Sequence, residues 1–187
     1  MKAFHTVAVP HRDILEGSLT MDVFAADLWE VSQQRGADEY KDADTFFRKT
    51  YLTEGLKNLL AIVEKRLQGA GGDPVIQLQT PFGGGKTHSL IAMYHKADAW
   101  GAKKITIVGT APGTEETLWG ILEKQLTGKV AKFIGQVAPG KEALRELLDG
   151  HQPVLILMDE VLEYVTKAAG VKVAESTLAA QTIAFMQ

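Results

Sequence analysis

VIQLQTPFGGGKT, residues 75–87, is the stretch whose reading decides the rest of the chain. Val75, Ile76 and Leu78, with glutamines between them, suggest a strand buried on most sides. The run is too short for a helix and is fenced by Asp73-Pro74 before it and Pro81 after it. Three consecutive glycines follow, then Lys86 and Thr87. A glycine-rich loop between a strand and a helix lets successive backbone N–H groups turn inward, where they hold phosphate oxygens. In such a loop Lys86 reaches the β- and γ-phosphates and the Thr87 hydroxyl takes a place on Mg²⁺. The pattern is G-x-x-x-x-G-K-[ST], the Walker A arrangement, except that Thr80 stands where the first glycine belongs. A threonine can make that turn if its φ stays negative, and Pro81 fixes the next φ near −65°. The plain alternative is a glycine-rich turn followed by an incidental Lys-Thr pair.

A second stretch argues against the plain alternative. Val154-Leu155-Ile156-Leu157-Met158 is an unbroken apolar run that ends in Asp159-Glu160. Such a run reads as a parallel strand covered on both faces. Ligands of an open α/β sheet bind at the carboxyl ends of its strands, which is where this pair is delivered. In this Walker B pattern Asp159 serves the Mg²⁺ shell and Glu160 orients and deprotonates an attacking water. The same acids could also sit in a first helical turn for dipole reasons alone.

Between and around these motifs the chain alternates strand and helix signals, which predicts an α/β fold with a parallel sheet. Three core strands are expected, at 75–79, 104–108 and 154–158, in a three-layer α-β-α arrangement. A helix from Thr87 to about Lys96 would face the phosphates with its N-terminus, and His88 there could touch a phosphate. Before residue 73 the pattern is helical. Phe24, Leu28 and Val31 form one stripe behind Asp22 as cap. A short helix capped by Asp44 carries Phe46, Phe47 and Tyr51 as core aromatics. Thr53 caps a helix in which Leu56, Leu59, Leu60, Val63 and Leu67 recur at helical spacing. Further helices are expected from Thr114, from Pro139-Gly140, from Val161 to about Ala168, and from Ser176 onward. Residues 1–72 thus read as a helical extension and 73–187 as a phosphate-loop core that is incomplete at its C-terminal end.

Bulk composition narrows the classes of partner. A net charge of −3 with scattered Lys and Arg shows no basic stripe of the kind that binds nucleic acid. The absence of cysteine excludes disulfides and thiolate metal sites. No apolar run approaches the ~18 residues of a membrane span, and MKAFHTVAVPHRD has no signal-peptide core. A cytoplasmic protein without membrane contact is expected.

QLQTPFGGGKTHSL and PVLILMDEVLEYV, preceded by FAADLWEV and FFRKTYLTEGLKNLL, together resemble a family of large bacterial and archaeal AAA+-like P-loop ATPases often encoded in phage-defence gene clusters. The resemblance runs from about Phe24 onward, and the PFGGGKTH loop with its threonine is the most specific part. It implies that Pro81, Phe82, Gly83, Gly84, Gly85, Lys86, Thr87 and His88 form the ATP-phosphate site. It also implies Thr87 and Asp159 at Mg²⁺, and Lys86 and Glu160 as catalytic groups. ATP hydrolysis would drive a nucleic-acid or defence-protein partner, in a complex that could be a homo-oligomer. A further strand and an arginine finger would follow Gln187, so this chain is expected to be a piece of a longer protein that turns over slowly. A positioned base contributes ~10²–10⁴ in rate and an arginine finger another ~10³–10⁵. A small-molecule kinase and a non-catalytic nucleotide-dependent scaffold are the alternatives. A GTPase is disfavoured because no Asn-Lys-x-Asp segment follows the loop. Tyr40, Tyr51 and Thr53 are candidates for contact with adenine.

Overall fold

A computed structural model describes residues 8–10, 12–17, 26–81 and 83–187. Asp22, Phe24 and Phe82, singled out above, lie outside the described residues. Helices α1 (Arg12–Leu15), α2 (Leu28–Ser32), α3 (Asp38–Lys41), α4 (Ala43–Lys49), α5 (Glu54–Leu67) and α6 (Lys86–Lys96) precede strand β1 (Lys103–Val108). Helices α7 (Leu118–Thr127) and α8 (Lys141–Asp149) lead to β2 (Val154–Asp159) and α9 (Val161–Ala168). A small hairpin, β3 (Lys172–Val173) and β4 (Ser176–Thr177), and helix α10 (Leu178–Met186) complete the described chain.

Helix starts follow local chemistry. Side chains of Asp27, Asp42, Thr53, Thr117 and Thr177 each accept a backbone N–H in the first turn of α2, α4, α5, α7 and α10, satisfying donors a helix leaves unpaired. Thr53 is thus the cap expected. The caps expected at Asp44 and Thr114 fall instead on Asp42 and Thr117, because the side chain that bonds the N3 amide fixes the start. The helix expected from Ser176 begins at Leu178, since Ser176 and Thr177 pair with Val173 and Lys172.

β1 and β2 run parallel, with Ile105 opposite Ile156 and Val108 opposite Asp159. Alternation along the strands divides their side chains between two apolar clusters. Ile105, Ile107, Val154, Ile156 and Met158 pack with Trp119, Leu122, Leu147, Tyr164 and Leu178 from α7–α10. Val108, Leu155 and Leu157 pack with Leu28, Val31, Phe46, Leu56, Val63 and the buried run Leu90–Tyr94 from α2, α4, α5 and α6. Helices therefore cover both faces, and the N-terminal helices share their core with α6.

The strand expected at 75–79 is not formed. These residues have no regular secondary structure, Val75 is 81% exposed, and only Leu78 packs into the second cluster. Alternation specifies which side chains share a face, but a strand exists only where its backbone finds a ladder. Among the described residues β2 pairs with β1 alone, so the sheet has two strands rather than three. The outer edge of β1 is closed by a side chain. The Gln125 Nε2 donates to Thr106 O (2.8 Å) and its Oε1 accepts from Thr106 N (2.9 Å), in place of a neighbouring strand.

Candidate functional site

The loop before α6 is shaped by its glycines. Gly85, the residue that caps α6, has φ +76°, a conformation in which a side chain would be strained. Gly84 lies against Thr80, and a Cβ there would collide with the Thr80 side chain and the Pro81 carbonyl. Thr80 thus occupies space beneath the loop that only glycine leaves open. Gly84 N also donates to Pro81 O at 3.0 Å. Lys86 is folded back over this turn, its Nζ donating to Thr80 O (3.2 Å) and Pro81 O (3.3 Å). The loop itself is open to solvent at Pro81, Gly83, Gly84 and Gly85.

α6 sets the next two side chains on different sides. Residues succeed one another by about 100° around a helix axis. Thr87 points toward the sheet, where its hydroxyl donates to Asp159 Oδ2 at 2.7 Å across 72 positions of sequence. His88 points toward the N-terminal helices. Its ring lies 4.6 Å from that of Phe46, Tyr40 meets it edge-on, and its Nε2 is hydrogen-bonded to Thr50 Oγ1 at 3.0 Å. Burial lowers its pKa from the ordinary 6.5. The structure therefore brings Lys86, Thr87, Asp159 and Glu160 to one end of the sheet, while the His88 side chain is engaged by α4 and its flanks.

Asp159 closes β2, and Glu160 caps α9 with φ +50°, an uncommon conformation for a residue other than glycine. Holding a β-carbon residue there costs roughly 1–2 kcal/mol, and three contacts hold it. Gly109 N donates to Asp159 O at 2.9 Å, Thr110 Oγ1 donates to Glu160 Oε2 at 3.0 Å, and Glu160 N donates to Asp159 Oδ1 at 3.0 Å. Gly109 is required by proximity, because a Cβ there would collide with the Glu160 carbonyl. Lys167 then fastens the loop after β1, its Nζ donating to Gly109 O (3.2 Å) and Thr110 O (3.0 Å). Gly109, Thr110 and Lys167 belong to no motif in the sequence. The available signal was the position of Gly109-Thr110 at the carboxyl end of a predicted strand.

Chemically, Thr87 and Asp159 present hard oxygens within 2.7 Å of each other, the donor type that suits Mg²⁺. Among the described residues no group of three or more His, Cys, Asp or Glu side chains could hold a metal on its own. A Mg²⁺ at Thr87 and Asp159 would thus need oxygens from a ligand, as it has when it accompanies phosphates. A cavity of about 400 Å³ lies elsewhere, along the outer edge of β1 beside Trp29, Tyr94 and Gln125, and none of residues 81–88, 159 or 160 lines it. Among the described residues no helix is long and apolar enough to cross a membrane.

No curated protein and no solved structure matches the chain. Residues 3–111 do match a family, and that span holds the glycine loop, α6, β1 and the Gly109-Thr110 turn but stops before β2. Since the match covers more than half of the 187 residues, the chain belongs to the DUF499 N-terminal domain family.

Proposed function

We propose that the chain binds Mg·ATP at the glycine loop and hydrolyses it, as an AAA+-like P-loop ATPase module. The observation that carries this reading is the Thr87–Asp159 hydrogen bond of 2.7 Å. It joins the end of the loop to the end of β2, two motifs that the sequence read separately as parts of one nucleotide site. The amides of residues 83–87 receive phosphate oxygens, and Lys86 exchanges its two loop carbonyls for the β- and γ-phosphates. Thr87 and Asp159 hold Mg²⁺, which neutralises the phosphate charge when bound. Glu160 orients a water and accepts its proton. Hydrolysis moves or switches a partner, nucleic acid or a defence-system protein, in a larger assembly.

Glu160→Gln tests the assignment. It removes the base while keeping size and the Thr110 contact, so Mg·ATP binding is expected to stay within about threefold while phosphate release falls by ~10²–10⁴. Equal phosphate release in the variant and the parent sinks the role of Glu160. Binding of Mg·ATP that survives Lys86→Ala undiminished sinks the phosphate site itself.

A further inference from the structure

The segment between α4 and α5 holds an aromatic ring in an unusual way. Tyr51 is 86% exposed, yet the backbone that carries it is pinned on both sides. Thr50 is bonded to His88 Nε2 at 3.0 Å, and Leu52 packs into the second apolar cluster. The Tyr51 carbonyl accepts from Thr53 N at 3.0 Å, and the Thr53 side chain caps α5. Single exposed apolar residues are ordinary on protein surfaces. Tyr51 thus presents a bare ring on a held backbone, one residue from the Thr50–His88 contact with the first turn of α6.

The direction of a ligand follows from α6. Thr87 faces Asp159, which marks the metal and γ-phosphate end of the site, and the next side chain, His88, faces Thr50. On the phosphate-site reading, a nucleotide seated on this turn meets the Thr50–Tyr51 segment if its base extends toward the His88 side of α6. We propose that Tyr51 is the base-stacking residue of the site, its phenol ring lying against the purine of the bound nucleotide. The inference rests on the phosphate-site reading of residues 83–87 and adds to it the contact with the base. Stacking on an aromatic face tolerates every base. Tyr51 therefore registers that a base is present, not which one.

Titration of the full chain with Mg·ATP and with Mg·tripolyphosphate, in the parent, Tyr51→Ala and Tyr51→Trp, separates the two readings. The parent is expected to bind ATP more tightly than tripolyphosphate. Tyr51→Ala is expected to weaken ATP by roughly 5- to 150-fold and leave tripolyphosphate within about twofold, with Tyr51→Trp restoring ATP affinity. Unchanged ATP affinity in Tyr51→Ala, or equal weakening of both ligands, overturns the stacking role. A parent that binds tripolyphosphate as tightly as ATP overturns it too, while leaving the phosphate site standing. A parent that binds neither removes the phosphate site and the base contact with it.

Discussion

Gly109 shows how a single hydrogen in place of a methyl group sets the position of a carboxylate. The Glu160 carbonyl approaches it so closely that a Cβ would collide with it, and the Val161 Cα stands just beyond. The carboxylate of Glu160 is exposed and hydrogen-bonded to Thr110, so its position follows from this backbone packing and one hydroxyl. Gly109→Ala must push the start of α9 away and carry Glu160 with it. If Glu160 is the base proposed above, its displacement by about 1 Å costs on the order of 10²-fold in rate. The variant is therefore expected to bind Mg·ATP within about threefold of the parent and to release phosphate ~10²-fold more slowly. Turnover equal to the parent's, measured by phosphate release at saturating ATP, would show that the close approach has no bearing on Glu160.

Among elements, β1 illustrates how an edge is closed without another strand. Thr106 is 2% exposed, and its backbone N–H and C=O are both satisfied by the Gln125 amide from α7. Gln125→Ala opens these groups to the neighbouring 400 Å³ cavity, where water can replace only part of what is lost. A loss of about 1–3 kcal/mol in urea unfolding is expected, together with concentration-dependent light scattering from the bared edge. A change below about 0.5 kcal/mol, the ordinary range for a surface substitution, would mean that water substitutes fully. Capping by Thr53, the glycine punctuation before α6 and the apolar runs of β1 and β2 are local signals, and those elements lie where expected. Residues 75–79 carry an equally good local pattern but pair with no strand among the described residues, and a ladder depends on chain that is distant in sequence. Spacing groups Tyr51 with Phe46 and Phe47 as core, while its place upstream of the loop makes it a candidate for adenine contact; α4 ends at Lys49 and leaves it in solvent, which removes the core reading alone. Thr50 and Gln125 had no signature at all, since a side chain that bonds across the fold looks like any other polar residue.

At the scale of the molecule, the N-terminal helices are joined to α6 through two histidines, and this makes their attachment sensitive to acid. His88 bonds Thr50 and stacks on Phe46, while His95 Nε2 meets the Tyr40 carbonyl at 2.7 Å beside Phe46, Phe47 and Tyr94. Burial lowers the pKa of both below 6.5. At His95 the Tyr40 carbonyl, Asp42 and Asp98 oppose that shift and Lys104 adds to it. Across the sheet the effect of Glu123 is separate. Burial raises its pKa, but donors from Ala131, Lys132 and Phe133 outweigh it and hold the carboxyl below its ordinary 4.5. In all three cases the unfolded chain binds protons more readily than the folded one, so stability rises with pH. The histidine contribution is complete above about pH 6.5 and is lost as the pH falls below it, and the Glu123 contribution is lost only at lower pH, below about 4.5. The melting temperature of the parent is therefore expected to fall between about pH 7.5 and pH 5.5, before any carboxylate of this kind titrates. The double variant His88→Gln/His95→Gln keeps a polar atom at each contact but no group that titrates in this range. It is expected to melt lower than the parent at pH 7.5 and to lose less on acidification, so the two curves converge. Parallel curves for parent and variant would place the acid sensitivity outside these two rings, and a flat parent curve would show that burial does not hold them neutral.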